Sequence, residues 1–475
     1  MLTRRLGRPV VAAVAVSCAV VLAGCGGGSG NSPPTTGPGT ATVSVPPVPG
    51  VTATSIRIGS HQPLTGVDSP GNREIGAAAK AYFDYVNSLG GVNGRKIDYR
   101  YEDDQSSPIR AKAIVRNQIN DGVFAEFNGL VTPTHEAAVG DLVTAGVPDV
   151  FVGSGCGCWN APVTQPMTFG FEPDVYAEGK ILASYVAATY PGVPVGVLYQ
   201  NDEYGQAGLQ GVRAVIPATQ IVDAESYSTT NTSLAGQVGA LRARNVGVVI
   251  SFSIPIFTAE LLVTAANLSY APKFVVSSGG SEPTAVAGEI ALQTARDAVP
   301  SGASLLNGVV TASFLPSPED VTNPWIAHFR AIAASDAAIS AAPFDANTVY
   351  GMAAAYSFVA ALRATGPHLT RASFVTALES LTLSPTGPAL APVTLSPTYH
   401  GGFSALRLGT ISSGAIALSG PLYTTSTGTT PITQVTAPTY ALPPAATAVT
   451  TPTASPSASA ARVTPGVSGT ASVHS

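Results

Sequence analysis

The sequence predicts an α/β fold of two lobes or domains, built from parallel sheets covered by helices. The 475 residues exceed the usual size of a single core. The composition, 45% hydrophobic and 11% charged, provides ample material for such cores. Short β-type runs also alternate with helical patterns between Ser55 and Tyr423, which is typical of parallel sheets covered by helices.

The first two strand-helix units illustrate the pattern. Residues 56–59 (IRIG) predict a short strand, and apolar residues recurring every three or four positions over 75–86 predict a helix. Alternation over 97–102 predicts a half-buried strand. Ser107-Pro108 then supplies a helix cap and a first-turn proline.

Five later segments continue the rhythm, and helices are expected after Thr134 and Asn201. The further predicted strands are 123–127, 150–152, 195–199, 246–252 and 274–277. Ligands of open parallel sheets bind beyond the carboxyl ends of the strands, where loops lead into helices. We therefore expect the binding residues in those loops.

The N-terminus predicts export. Residues 1–24 have a basic start, an apolar run from Val10 to Ala23 and small residues before a cysteine, which is typical of a signal peptide and too short for a spanning helix. Leu22-Ala23-Gly24-Cys25 resembles the lipobox of bacterial lipoproteins, which implies lipidation of Cys25 and anchoring outside the cytoplasm. The alternative is an ordinary secretory signal with an incidental cysteine.

Two segments of biased composition flank the body. Residues 25–54 are rich in Gly, Ser, Thr and Pro, and residues 424–475 are rich in Thr, Pro, Ala and Ser. Neither has the periodic apolar residues that a core needs. We predict a disordered tether and a disordered tail.

Several function classes lack support in the sequence. Neither a phosphate-binding P-loop nor a G-x-S-x-G elbow occurs, and the net charge of −5 argues against nucleic-acid binding. The histidines have no metal-ligand spacing, so no metal and no cofactor is expected. Asp103 and Asp104 point to opposite faces of a strand and are interpreted as a solvated strand end.

Cys156-Gly157-Cys158 is the one unusual cysteine motif. In an oxidising compartment two such thiols tend to pair, so a small disulfide is one interpretation and two buried thiols that shape the loop are another. A redox or metal site is a third, although only two sulfurs are present.

The body resembles the type I periplasmic binding proteins of the leucine/isoleucine/valine and amide class. The similar segments, in family order, are IRIGSHQPLTG at 56–66, GGVNGRKIDYRYEDDQ at 90–105, Thr132-Pro133-Thr134, VPDVFVGSGCGCWN at 147–160, FGFEPDVYAEG at 169–179, LYQNDEYGQAG at 198–208 and TGPHLTRASFVTALESL at 365–381. The resemblance implies two lobes, each a parallel sheet with helices on both faces, with a ligand cleft between the lobes. Three crossovers would join them, near Phe171, near Thr311 and between Leu383 and Pro392. Lobe one would be 55–170 with 312–384, and lobe two 171–311 with 385–423.

The resemblance also implies a set of ligand-binding residues at the strand ends. Hydroxyls and backbone N–H groups there can hold a carboxylate or carbonyl, and tyrosines of the opposing lobe can complete the clamp. The candidates are Thr132, Thr134, Ser154, Gly155, Cys156, Tyr176, Tyr204, Phe252 and Ser278.

One segment departs from the family pattern. Members that bind α-amino acids usually offer an acid to the ammonium near the position of Ser277 to Gly280, which reads Ser-Ser-Gly-Gly here. An unpaired buried ammonium is costly. Either Glu172, Asp174 or another carboxylate replaces the acid, or the ligand has no amine.

Three functions remain open at this point. The first is a non-catalytic receptor that delivers a small polar or amphipathic solute (an amino acid, an amide, or an aromatic or branched acid) to the permease and ATPase of an ABC importer. The second is a clamshell sensor that signals through a membrane partner. An extracellular enzyme on the same fold is the third, without any nucleophile-base motif to support it.

Overall fold

The computed structural model of the chain describes residues 47–294, 302–383 and 387–442. The predicted signal peptide, the predicted lipidation site Cys25, most of the predicted tether and residues 443–475 of the predicted tail lie outside these ranges. Within them, no helix has the length and apolar character that crossing a membrane requires.

Strands and helices alternate along most of the described chain. The strands are β1 (Ser55–Gln62), β2 (Lys96–Asp103), β3 (Ala125–Phe127), β4 (Asp149–Val152), β5 (Thr168–Gly170), β6 (Val195–Gln200), β7 (Ile221–Tyr227), β8 (Val248–Phe252), β9 (Lys273–Val276), β10 (Val310–Ser313), β11 (Thr382–Leu383), β12 (Val393–Thr394), β13 (Ala405–Ser412), β14 (Ala415–Thr424) and β15 (Thr433–Val435). The helices are α1 (Arg73–Ser88), α2 (Pro108–Asn120), α3 (Thr132–Ala145), α4 (Val175–Thr189), α5 (Glu203–Arg213), α6 (Ala235–Ala243), α7 (Pro255–Asn267), α8 (Pro283–Thr294), α9 (Gly302–Leu306), α10 (Pro324–Ser335), α11 (Ala346–Thr365) and α12 (Arg371–Glu379). Two short 3₁₀ turns lie at Gly157–Trp159 and Ser278–Gly280.

Two large sheets carry the fold. The first is entirely parallel, in the order β2-β1-β3-β4-β5. The second repeats that order with its parallel strands, β7-β6-β8-β9-β10, and continues through the antiparallel strands β13, β14 and β15. The predicted α/β class with two helix-covered sheets is confirmed, and the antiparallel extension is an addition that the sequence interpretation lacked.

Helices cover these sheets in packed pairs. On the first sheet α1 lies against α11 and α10, and α2 lies against α3. On the second sheet α4 lies against α5, and α7 lies against α8 and α6. The buried stripe of α1, which includes Ile75, Ala79, Tyr82 and Val86, has the spacing that the sequence predicts.

The chain passes between the two sheets more than once. It leaves the first sheet after β5 and enters the second through α4 and β6. After β10 it returns to the first sheet with α10 and α11, which pack on α1. It then joins the second sheet again at β13. These connections bring loops of both sheets together, which positions the site described below.

The body extends past the predicted limits at both ends. Val48 and Val51, in the predicted tether, pack against the main core, and Val51 forms a bridge with Ile56. In the predicted tail, β15 pairs with β14, and Tyr440 packs against the core. Isolated apolar residues within a Pro- and Thr-rich composition are enough to dock these segments on an existing surface.

Candidate functional site

The candidate site is a cleft where the carboxyl ends of the two sheets face each other. In each sheet the order in which successive strands are added reverses once, between β1 and β3 in the first sheet and between β6 and β8 in the second. Open α/β sheets bind ligands at such switch points. The lining residues come from both sheets: Asn72, Val131, Thr132, Gly153, Ser154, Gly155, Glu172, Gln200, Tyr204, Ile254 and Gly279.

Two hydroxyls form the first wall of the cleft. Thr132 begins α3 and Ser154 follows β4, and their side-chain oxygens lie 2.5 Å apart. The Ser154 Oγ also accepts a hydrogen bond from the backbone N–H of Cys156 at 3.2 Å. Both residues are buried. With the neighbouring Gly155 on the same wall, this loop pair presents hydroxyls and backbone beside the N-terminus of α3, a favourable setting for a ligand oxygen.

Val131, next to Thr132 in this wall, has a strained backbone conformation. Its φ of 72° and ψ of 130° are unusual for a β-branched residue. The surrounding structure fixes the conformation, because the Val131 N–H donates to the Gly153 carbonyl at 3.0 Å and Leu130 forms a bridge with Gly153. Strain of this kind often concentrates at binding sites.

Tyr204 and Gln200 form the opposite wall. Tyr204 lies in the first turn of α5, and its hydroxyl is 2.6 Å from the Ser277 Oγ. Gln200 ends β6, where its side chain accepts a hydrogen bond from Tyr227 at 3.0 Å and donates to Asp202. Both side chains are therefore fixed by residues of the second sheet, so they form a prearranged face.

Glu172 lies between the two walls, on the connection that follows β5. Its Oε1 accepts a hydrogen bond from the Tyr350 hydroxyl at 3.0 Å. Burial raises the pKa of this carboxyl to about 7, and the hydrogen bond from Tyr350 offsets only part of that rise. A cationic group or another donor of the ligand would stabilise the ionised form. Of the two carboxylates offered above as replacements for the missing acid, Glu172 is the one that lines this cleft.

A second carboxylate reaches the segment from Ser277 to Gly280, where this chain lacks the acidic residue of amino-acid-binding family members. Glu178 of α4 is buried, and it accepts hydrogen bonds from the Ser278 N–H at 2.6 Å and the Ser278 hydroxyl at 3.1 Å. Burial raises its pKa to about 7. Sequence reasoning missed this residue, because a carboxylate in the middle of a helical pattern gives no sign that it reaches a loop a hundred residues away.

Two predicted ligand-binding residues, Phe252 and Thr134, are not among the residues that line this cleft. Phe252 is fully buried, and its ring packs so closely over Gly208 that a side chain at that glycine would clash with it. The Thr134 hydroxyl donates to the carbonyls of Leu130 and Val131 at 2.8 and 3.0 Å. Residues at strand ends and first helical turns look alike in sequence, but only some of their side chains face the cleft.

The remaining candidates border the cleft. Cys156 is joined to Cys158 by a disulfide, and with Trp159, Asp174 and Tyr399 it lines an adjoining pocket that shares Ser154 and Glu172 with the cleft. Tyr176 is partly exposed in the first turn of α4, with its N–H donating to Asp174 at 2.8 Å. Ser278 lines a different pocket, together with Phe314 and Tyr350. The structure thus brings Thr132, Ser154, Gly155 and Tyr204 together in one cleft.

The paired sheets and the cleft between their strand ends define a two-lobed, ligand-binding α/β protein. The family model described as periplasmic binding protein matches residues 55–415. The chain belongs to the periplasmic binding protein family, as its resemblance in sequence predicts.

Solved structures share the fold over most of the chain. A substrate-binding periplasmic protein from Ralstonia solanacearum is 23% identical, with a TM-score of 0.67 over 77% of this chain and 100% of that one. A branched chain amino acid ABC transporter protein from Thermus thermophilus, with bound valine, is 15% identical, with a TM-score of 0.68 over 79% of this chain and 98% of that one.

A curated relative matches over a shorter stretch. Leu/Ile/Val-binding protein homolog 3 of Brucella melitensis is 21% identical over 192 residues, which are 37% of this chain and 47% of the relative. The alignment therefore spans about half of that protein's length.

Proposed function

We propose that this protein is an extracytoplasmic solute receptor that captures a small polar or amphipathic molecule in the cleft and delivers it to an ABC importer. The observation that carries the proposal is the single cavity lined by Thr132, Ser154 and Gly155 from one sheet and by Gln200 and Tyr204 from the other. A solute that contacts both walls binds the closed arrangement better than an open one, so binding favours closure.

The lining residues favour a particular ligand chemistry. The wall of Thr132 and Ser154 suits a carbonyl or carboxylate oxygen, whereas Glu172 suits an N–H donor or an ammonium. An α-amino acid or an amide has both functions on neighbouring atoms. The names of the Brucella and Thermus proteins, which refer to branched-chain amino acids, support the same class.

We place the receptor at the outer face of the membrane, anchored by a lipid on Cys25. The sequence Leu22-Ala23-Gly24-Cys25 and the apolar leader before it support this localisation. Replacing Cys25 with alanine should release the exported protein from the membrane fraction. A membrane-bound Cys25→Ala protein would contradict the lipid anchor and leave the cleft proposal unaffected.

A thermal-shift screen tests the function. Amino acids, amides, urea and aromatic acids are offered to the purified protein, and a ligand present at 100 times its Kd should stabilise it by about 2.7 kcal/mol. The ligand should be recovered chemically unchanged. A screen without any hit in these classes, or conversion of the ligand to a product, would contradict the receptor proposal.

The Thr132→Ala, Ser154→Ala double variant tests whether a ligand found in the screen binds in the cleft. Losing two ligand hydrogen bonds should weaken binding about 100-fold. Thr144→Ala, at an exposed position of the same helix α3, is the matched control and should bind as the wild type does. Equal affinity in the double variant would remove these hydroxyls from the site.

A further inference from the structure

The loop between β1 and α1 (residues 63–72) reaches from the first sheet to the second. Val67 packs against a hydrophobic cluster of the second sheet that contains Tyr227. Gly71 lies against α7, where a side chain at this glycine would come within 2.9 Å of Pro255. The loop therefore forms a direct contact between the two lobes.

Asp68 is buried in this contact. The residue is 5% exposed, and its Oδ1 has no hydrogen-bond partner within the described part of the chain. Its backbone is held by the first lobe, because its N–H donates to the Ser106 hydroxyl at 3.0 Å and its carbonyl accepts from the Asn72 side chain at 2.7 Å. Buried polar atoms are nearly always paired, so an ionised carboxylate with an unpaired oxygen is costly here.

The groups that face Asp68 are acidic or neutral. Asp104 belongs to the first lobe, whereas Asp202, which caps α5, and Tyr227, at the end of β7, belong to the second. Over the described ranges, no Lys, Arg or His forms an ion pair with Asp68. Burial raises the pKa of Asp68 from 3.8 to about 7, with a contribution from the two aspartates that the Ser106 hydroxyl opposes.

Opening of the cleft would change the surroundings of Asp68. Separation of the lobes would remove Asp202 and give the carboxyl access to water, where its pKa is near the ordinary value of 3.8. A group whose pKa is raised in one state stabilises that state at low pH. This contribution to the closed state is complete below about pH 3.8 and is lost as the pH rises through 7.

We infer that closing the cleft binds one proton at Asp68, so that acidic conditions favour the closed state and alkaline conditions favour the open one. The proton comes from the solvent, neutralises the carboxylate that faces Asp202, and returns to the solvent when the lobes separate. The inference rests on the proposed function, in which closure captures the solute, and adds regulation by pH. Asp68 does not line the cleft, so the effect applies to any solute that requires closure.

Distance measurements between spin labels on the two lobes test the inference without a ligand. The outer strands β2 and β7 lie at the edges farthest from β5 and β10, after which the chain passes between the sheets. The helices that follow these outer strands should therefore move most. The labels are attached to Ile109→Cys in α2 and Ala235→Cys in α6, both at exposed positions. The full-length Cys25→Ala protein serves as the background, because Cys156 and Cys158 are paired.

The closed fraction should depend on pH through Asp68. Between pH 8 and pH 6 the ratio of closed to open molecules should rise about tenfold, because one carboxyl changes its pKa from 3.8 to about 7 on closure. Asp68→Asn cannot ionise at this position, so it should be more closed at pH 8 and lose this tenfold rise. Asp121→Asn, at an exposed aspartate, is the matched control and should keep the rise. Asp68→Ala replaces the asparagine variant if that variant does not fold.

The outcomes separate the inference from the proposed function. A rise in the closed fraction that Asp68→Asn loses and Asp121→Asn keeps supports proton-linked closure. Glu172 is present in all of these proteins, so any titration of its carboxyl cancels in the comparison. A closed fraction that does not change with pH, or a rise of equal size in Asp68→Asn, overturns the inference and leaves the receptor intact. Proton-linked closure together with an empty solute screen contradicts solute capture alone.

Discussion

The imidazole rings of His61 and His135 are hydrogen-bonded directly to each other inside the first lobe. The Nε2 of His61 lies 2.9 Å from the Nδ1 of His135, and both rings are fully buried. At the outer ends of the pair, His61 contacts Asp104 at 2.7 Å and His135 contacts Asp149 at 2.9 Å. This chain connects β1, β4 and the loop after β2 to the first turn of α3, which begins at Thr132 in the cleft.

Loss of His135 should therefore destabilise the protein strongly. His135→Leu leaves the buried Asp149 carboxylate without its partner, and breaking such a pair costs about 3 kcal/mol. Urea unfolding measures the effect. His368→Leu, at an exposed histidine, is the matched control; a loss in His135→Leu no greater than in His368→Leu would show that the chain contributes nothing to stability.

Val131→Gly should stabilise the unliganded protein by about 1 kcal/mol. Glycine adopts a φ of 72° without the steric cost that valine pays, and this relief exceeds the entropic cost of the glycine. Chemical denaturation of the two proteins measures the difference. Val321→Gly, at an exposed valine outside the helices and strands, controls for the general effect of the exchange. If Val131→Gly lowers the free energy of unfolding more than Val321→Gly does, the packing of the Val131 side chain stabilises the protein by more than the backbone strain costs.

Glu172→Gln should make stability less dependent on pH. Because the pKa of Glu172 is raised from 4.5 to about 7 on folding, its favourable contribution is complete below about pH 4.5 and is lost as the pH rises through 7. At pH 8 the variant should be more stable than the wild type by about 3 kcal/mol, with little difference at pH 4.5.

The same variant tests the role of Glu172 in binding. If the ligand carries an ammonium, Glu172→Gln should weaken its binding at pH 8 while stabilising the free protein. Glu319→Gln, at an exposed glutamate, should change neither property. Equal stability of Glu172→Gln and wild type at pH 8 would contradict the raised pKa.

Lys180 attaches the C-terminal part of the body to α4. Its buried ammonium lies within hydrogen-bond distance of four oxygens: Thr425 Oγ1 at 2.9 Å, Ser426 O at 3.0 Å, Gly428 O at 3.2 Å and Thr430 O at 2.5 Å. Lys180→Met should cost about 2 kcal/mol of local stability. Hydrogen exchange of residues 425–430 should then accelerate, but not in the exposed Lys273→Met control; unchanged exchange would show that other contacts hold the segment.

The regular part of the fold is predictable because its periodicity is strong. The apolar spacing of α1 and the alternation in β2 identify these elements directly, and Ser107-Pro108 marks the start of α2. The alternation of strands with helices predicts open parallel sheets, and such sheets bind ligands at the loops after their strands. The loops at 132 and 154 are two of these. The family resemblance then points to Thr132 and Ser154 within those loops, and both residues line the cleft.

The remaining features depend on contacts between distant residues. Glu172 follows β5, a three-residue strand too short to show periodicity, and only the fold brings it to Tyr350. The antiparallel strands β13 to β15 lie in a region rich in Thr, Gly and Ser, so their pairing outweighs a composition typical of loops. The histidine chain joins residues 43 and 74 positions apart, a separation at which local patterns carry no information.

A crystal structure with the best ligand from the solute screen is the decisive measurement. Ligand atoms should lie within hydrogen-bond distance of the Thr132 and Ser154 hydroxyls on one side and in contact with Tyr204 on the other. A ligand bound to one sheet alone, or bound outside the cleft, would contradict ligand capture between the two sheets.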